Sequence, residues 1–278
     1  MAEKPPVVLT IAGFDPSSGA GVTADIKTIA AHACYGVACL TALTVQSTQG
    51  VFAVESLRPE LVRHTLSKLS DDLEFAAVRI GMLGSREVAE VVVDFLRSIH
   101  PPNVVLDPVL RSSSEAELID ANGVEVIRAQ LLPLCAVITP NLEEAAELAQ
   151  SEAIFSAESW ENTLPQLRLA AAKMHIMGCR GVVITGGHLA EPNDYLSVWD
   201  SGKATEHVFA GARVDSQATH GTGCAFSTAL ACGLAHGQAL LEAVSGAKSF
   251  VRNAMASAYP VGRGVGPMNH LFRLQERR

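Results

Sequence analysis

The sequence predicts an α/β fold on a mostly parallel sheet, with helices on both faces and a small β-hairpin added late in the chain. Three observations carry that expectation. Short β-branched runs alternate with longer segments of helical period, the pattern of strand–helix–strand units whose sheet is covered on both sides. Glycine-rich turns fall where strands hand over to helices. Hydrophobic residues make up 48% of the 278 and aromatics only 5%, which supplies a large aliphatic core.

The elements follow in order. Buried strands are expected at Val7–Ala12, Val37–Val45, Ala77–Ile80, Val104–Leu106, Ala136–Thr139 and Val182–Thr185. A helix follows the first glycine-rich loop. Another runs from Pro59 to Asp72, opening with the proline that first turns tolerate. Ser85 caps a helix reaching Ile99, with Glu87 in its first turn. Asn141 and Glu144 form a capping box over a helix to Leu148, and Leu164 to Gly178 ends at its glycine. Leu196–Trp199 and His207–Ala210 flank Asp200-Ser201-Gly202 as a hairpin. Two helices rich in small residues close the chain, Gly223–His236 and Leu240–Tyr259. No repeat, low-complexity tract or linker divides residues 1–278, so a single domain is expected.

Composition excludes several function classes. The net charge is −8 and no basic stripe is present, which argues against nucleic acid as a partner. No stretch reaches the ~18 uninterrupted apolar residues of a membrane span. The opening MAEKPPVVLTIAGFD lacks the flanks of a signal peptide. The six cysteines contain no CxxC pair, so neither structural zinc nor a disulfide framework is expected. These features together read as a cytoplasmic protein.

Ligands of open α/β sheets bind beyond the carboxyl ends of the strands, so the chemistry should lie in strand-to-helix loops. Gly19-Ala20-Gly21-Val22-Thr23-Ala24 fits a GxGxxA dinucleotide pattern. The acid that such a site needs on the ribose is missing from the end of strand two, Thr44-Val45-Gln46, so a nicotinamide enzyme is disfavoured. The glycines instead suit close approach of backbone to a small ligand, or a purely structural turn. Ala218-Thr219-His220-Gly221-Thr222-Gly223-Cys224 opens a long helix. Its unpaired N–H groups and the helix dipole make an anion site suited to phosphate. Cys224 there is either a small packing residue or a thiol whose pKa the helix end lowers below ~8.5. Asn141 and Glu144 are a plain capping box or, with Asp107, the oxygen ligands of a hydrated Mg²⁺. Thr185-Gly186-Gly187-His188 is a turn against which nucleotide phosphates could lie.

Taken in order, LTIAGFDPSSGAGVTADIKT, YGVACLTALTVQST, IGMLGS, VVLDPV, VITPNLEEA, GGH, THGTGC and GVGPMNH span about Val7 to Phe272. This ordered set resembles the bacterial hydroxymethylpyrimidine/phosphomethylpyrimidine kinases of thiamine biosynthesis, within the ribokinase-like superfamily. The resemblance implies a three-layer α/β/α fold, ATP and Mg²⁺. It implies two successive phosphorylations, first of 4-amino-5-hydroxymethyl-2-methylpyrimidine and then of its monophosphate. Pyridoxal kinase, whose substrate is also a ring with a hydroxymethyl arm, is the alternative.

Carried over by position, the resemblance assigns Gly13, Asp25, Gln46 and Met82 to the pyrimidine site. Gln46 would pair with the ring's amino and nitrogen edge. Asn141, Thr185, Gly187 and Thr219 would bind nucleotide, and Asp107 and Glu144 would serve the metal. Gly221, Thr222 and Gly223 would form the anion hole, with Cys224 where sugar kinases of the superfamily carry an aspartate base. Two positions depart from the family pattern. Thr185 stands where some members have lysine, and Ser114-Glu115 where many have Ser-Gly, which bears most on the second phosphorylation. The small-residue helices also permit a homodimer.

Overall fold

The computed structural model describes residues 4–112, 116–151, 160–187, 189 and 191–275. In chain order the elements are β1 (Val7–Phe14), α1 (Gly21–Ala31), β2 (Tyr35–Ser47), β3 (Gly50–Ser56), α2 (Pro59–Asp72), β4 (Ala77–Ile80), α3 (Arg86–Ile99) and β5 (Val104–Leu106). There follow α4 (Ala121–Val126), extended by a π turn and a 3₁₀ turn to Leu134, then β6 (Val137–Ile138), α5 (Leu142–Leu148), α6 (Trp160–Ile176) and β7 (Gly181–Ile184). The chain ends with β8 (Asp194–Asp200), β9 (Lys203–Phe209), α7 (Thr222–Ala235), α8 (Leu240–Ala256) and α9 (Phe272–Gln275).

Among the described residues, nine strands join one sheet in the order β3-β2-β1-β4-β5-β6-β7-β8-β9. From β2 to β7 neighbouring strands run parallel. Antiparallel strands close both edges, β3 against β2 and the β8–β9 hairpin against β7. The hairpin turns at Ser201 and Gly202, both at positive φ (49° and 83°), the conformation of a two-residue turn that matches strand twist.

Side-chain alternation sorts the two faces. Leu9, Ile11, Val104, Leu106, Val182 and Ile184 pack into the cluster under α2 to α6, while Val8, Val105 and Val183 face α1, α7 and α8. Three layers result, as expected. The predicted caps are present: Ser85 accepts from Val88 N at 3.3 Å, and the Asn141–Glu144 box is closed in both directions.

Three expectations need correction. β3 was not expected as a strand. It is an edge strand with no buried residue, so no core-facing pattern marks it. α6 begins at Trp160, ahead of the expected Leu164, and α8 ends at Ala256, short of Tyr259. The small-residue helix α7 is buried from Ala225 to Gly233. Its stripe packs on the sheet and α8 and so does not offer a surface to a second copy.

Candidate active site

The expected site residues converge at one edge of the sheet. Gly13, Gln46 and Met82 lie at or beyond the carboxyl ends of β1, β2 and β4, while Asp107, Asn141 and Thr185 follow β5, β6 and β7. Because β2, β1 and β4 are neighbours and so are β5, β6 and β7, the first trio and the second occupy adjoining halves of one end of the sheet. Asn141 and Thr185 are joined by an isolated parallel bridge.

Two glycine-rich loops meet between those halves. Gly221 has φ +80°, and a Cβ there would overlap the Gly19 carbonyl oxygen. Gly21 has φ +58°, and a Cβ there would overlap the Gly13 carbonyl oxygen. Only glycine satisfies both the torsion and the approach. The contact brings together the N-termini of α1 and α7, whose first-turn N–H groups have no intrahelical acceptors. Positive potential from two helix ends therefore adds at Gly221-Thr222-Gly223-Cys224. Thr222 is anchored through its hydroxyl to the Thr219 carbonyl (3.2 Å), and Gly223 is exposed.

Around Cys224 the surroundings favour the neutral thiol. Burial pushes it up to about 12, although the Arg79 charge favours the thiolate and Gly21 N–H donates to it. The helix end does not outweigh desolvation, because Asp107 and Asp25 add negative charge nearby. A thiol held that high is neutral at pH 7.

Beneath that loop lies a charge cluster centred on Arg79. Val78 and Ile80 of β4 point toward the α2–α6 side, so Arg79 points to the α1/α7 side. Its guanidinium donates to Asp25 (2.9 Å), Asp107 (2.5 Å) and Ser227 (3.1 Å), with no exposure. Burial raises the Asp25 carboxyl, and the Arg79 charge opposes it. Asp25 also accepts from Thr10 (2.6 Å) and Thr228 (2.8 Å) and is fully buried. It therefore ties α1 to β1, β4 and α7 from inside the fold. Its short side chain is spent on these internal donors.

On the β2 side, the Gln46 amide lies 3.1 Å from His220 Nε2, and His220 Nε2 lies 2.8 Å from Asp15 Oδ2. Asp15 accepts from Ser17 N and Oγ (both 2.7 Å), Gly19 N (3.2 Å) and Ala20 N (2.9 Å). Burial alone would raise its carboxyl, but these donors and His220 outweigh it and hold the group at about 2. Met82 forms the wall beside Gly13, where a Cβ would come 2.9 Å from its sulfur.

On the β6–β7 side, the capping box occupies Asn141 and Glu144. Asn141 Oδ1 accepts from Glu144 N, and Glu144 Oε2 from Asn141 N, both at 2.9 Å. Glu144 also accepts from the Leu110 backbone, and burial followed by the Asp107 charge raises it to about 8. Asp107 Oδ2 takes Arg79 and Ser227, while Oδ1 lies 4.0 Å from where a Gly223 Cβ would sit. Gly187 is exposed, with nothing within 4 Å of a Cβ, and Thr219 is exposed. His188, Ser114 and Glu115 lie outside the described residues. Among the described residues, no three His, Cys, Asp or Glu side chains form a metal cage.

Sequence reasoning missed Arg79 and Asp15. Arg79 carries a signal, since it is a charge inside the otherwise apolar strand Ala-Val-Arg-Ile that requires partners. Asp15 stands before Pro16-Ser17-Ser18, the setting of a side chain that caps its own turn.

Comparison with known proteins agrees with this geometry. The phosphomethylpyrimidine kinase family model matches residues 15–269. The hydroxymethylpyrimidine/phosphomethylpyrimidine kinase of Streptomyces coelicolor is 40% identical over 272 residues, covering 98% of this chain and 97% of its own length. Among solved structures, an ADP complex of Bacillus subtilis pyridoxal kinase superposes with TM-score 0.84 at 32% identity, covering 98% of this chain and all of that one. A Clostridium difficile phosphomethylpyrimidine kinase superposes with TM-score 0.76 at 32% identity, covering 90% and 99%. Two glycine-rich helix starts meeting at the carboxyl ends of the strands, and near-full-length matches of this kind, lead to one conclusion: the chain belongs to the phosphomethylpyrimidine kinase family.

Proposed function

We propose that the protein transfers the γ-phosphoryl group of ATP to the hydroxymethyl oxygen of 4-amino-5-hydroxymethyl-2-methylpyrimidine, and then phosphorylates the monophosphate. One observation supports this most. The Gly221–Cys224 turn abuts Gly19 on the β1 side and Asp107 on the β5 side, the place where a nucleotide over β5–β7 would face an acceptor over β1, β2 and β4. Phosphoryl transfer relies on positioning and on stabilising charge at the transferring group, and convergent backbone N–H groups supply both. Cys224, a neutral thiol beside the acceptor, hydrogen-bonds the hydroxyl, and the loose transition state leaves the hydroxyl proton in place until it passes to an oxygen of the transferred phosphoryl group.

Mg²⁺ fits the residues present. Burial first, and then the Asp107 charge, raises Glu144 to about 8, and a dication beside the two carboxyls would favour their ionised forms. The Arg79 and Ser227 bonds both fall on Asp107 Oδ2 rather than Oδ1, and Glu144 stands behind its capping bonds. Magnesium keeps most of its waters and needs few protein ligands. When bound, it neutralises phosphate charge. Asn141, Thr185, Gly187 and Thr219 border the space for nucleotide.

Incubation with the pyrimidine alcohol, ATP and Mg²⁺, followed by product analysis, tests the proposal. Mono- and diphosphate are expected, and no phosphorylated pyrimidine would end it. Gln46→Ala should raise the KM for the pyrimidine by about 10–100-fold with ATP affinity intact, because polar ring edges are left unpaired. Pyridoxal kinase is the second reading, favoured by the 0.84 superposition on the Bacillus subtilis enzyme. A higher kcat/KM for pyridoxal than for the pyrimidine would establish it. Exposed Leu43, Val45 and Phe52 on the β2–β3 ribbon support a homodimer through that face, so Val45→Glu should shift sedimentation to the monomer.

A further inference from the structure

Just beyond β7 the strand ladder stops and a side chain takes over. The last β7–β8 pair joins Ile184 to Tyr195. Two residues on, Gly186 N donates to Asp194 Oδ1 at 3.0 Å rather than to a neighbouring strand. A Cβ on Gly186 would overlap the Asn193 carbonyl oxygen, so only glycine lets the turn pass this close to the backbone entering β8. Gly187 then faces open space.

Lys248 of α8 completes the arrangement. Its ammonium donates to Asp194 Oδ2 and to the Pro192 carbonyl oxygen, both at 2.7 Å. The Asp194 side chain is only 8% exposed. Burial raises its carboxyl, and the Lys248 charge opposes that. A carboxylate this sheltered is costly without its cation, so Lys248 keeps Asp194 in the charged form that accepts on both oxygens.

The same helix anchors the segment leading to the anion turn. Ser216 Oγ donates to the Met255 carbonyl (3.3 Å) and accepts from Ala218 N (3.2 Å), one residue before Thr219. Gly211 N links that segment to the β7–β8 connection by donating to Asn193 Oδ1 at 3.0 Å. The Lys248 ammonium lies at this junction, 3.1 Å from where a Gly211 Cβ would sit.

We propose that Lys248 and Asp194 are positioning residues for the nucleotide, an ion pair that fixes the Gly186-Gly187 turn against which the phosphates of ATP lie. Asp194 offsets the Lys248 charge, so the pair acts through the backbone it holds and not by attracting phosphate. The inference rests on the reading that the nucleotide lies over β5 to β7.

The test measures ADP affinity by calorimetry, and the KM values for ATP and the pyrimidine, in full-length Lys248→Met, Lys248→Arg and Asp194→Asn proteins. Lys248→Met should weaken ADP binding and raise the KM for ATP by about 10-fold, with the KM for the pyrimidine within about 2-fold. Lys248→Arg keeps a cation with donors for Asp194 and Pro192 and should restore most of the affinity. Asp194→Asn should also weaken ADP binding, because Gly186 loses its charged acceptor. If Lys248 attracted phosphate directly, removing the negative charge beside it would tighten ADP binding instead. Tighter binding by Asp194→Asn, unchanged ADP affinity in a folded Lys248→Met protein, or an equal rise in both KM values would overturn the inference. If Lys248→Met does not fold, Asp194→Asn decides. A wild type that binds no ADP would defeat the nucleotide reading and this inference together, whereas equal binding by wild type and Lys248→Met would defeat the inference alone.

Discussion

Arg79 Nη1 donates to Asp25 Oδ2 across 2.9 Å, and neither side chain has any exposed surface. This ion pair joins strand β4 to helix α1, and the same guanidinium continues to Asp107 and to Ser227 on α7. One side chain thus holds together the helix that begins at Gly21, the helix that begins at Thr222 and the loop that leaves β5 at Asp107. The two glycine-rich loops keep their register because their helices are fixed from below.

Removing that guanidinium leaves two buried carboxyls without their cation. Breaking a buried pair from one side typically costs ~3–5 kcal/mol. Arg79→Met should therefore lower unfolding stability by about that amount in urea titration. A loss below ~1 kcal/mol would mean that the carboxyls bind protons at little cost and that Arg79 is not the anchor.

Cys224, pushed up to about 12, should react with iodoacetamide at a rate that climbs with pH and shows no plateau below about pH 10. A neutral thiol is a weak base, so Cys224→Ala and Cys224→Ser should each lower kcat by no more than the low end of general-base effects, about 10²-fold. Cys224→Asp should recover part of that. An alkylation plateau near neutrality, or a 10⁴-fold loss, would show a thiolate base.

Asp15 is held at about 2 against an ordinary value of 3.8. The folded-state value is depressed, so its contribution to stability is complete above pH 3.8 and disappears as pH falls toward 2. A shift of this size corresponds to about 2 kcal/mol. Asp15→Asn should flatten the acid limb of a stability–pH curve over that window. An unaltered acid limb would contradict the assignment.

Thr185 follows β7, bridged to Asn141, where some relatives of this fold carry a lysine. Thr185→Lys should leave the first phosphorylation within a few-fold and raise the second, whose substrate is more anionic. Separate rate measurements on the alcohol and the monophosphate distinguish the two steps. Loss of both in a folded protein would show that the position does not admit a long side chain.

The sequence by itself determined the parallel sheet, the late hairpin, the caps at Ser85 and Asn141 and the loops that form the crevice. Each is encoded locally, by β-branched runs, by capping side chains, or by glycines at strand ends. The edge strand β3 was not legible, because a strand with no buried residue has no core-facing pattern to read. The roles of Asp25, Cys224 and Arg79 were decided only by the tertiary structure. Asp25 reads as a site residue in the sequence, and folding sets Thr10, Arg79 and Thr228 on its oxygens. Cys224 sits at a helix start, which alone would lower its pKa, but Asp107 and Asp25 converge on it from distant segments and burial raises it. The contact between Asp15 and His220 joins groups 205 residues apart in the sequence. Desolvation and hydrogen-bond polarity depend on which groups meet in space, and those meetings exist only once the sheet has brought the strand ends together.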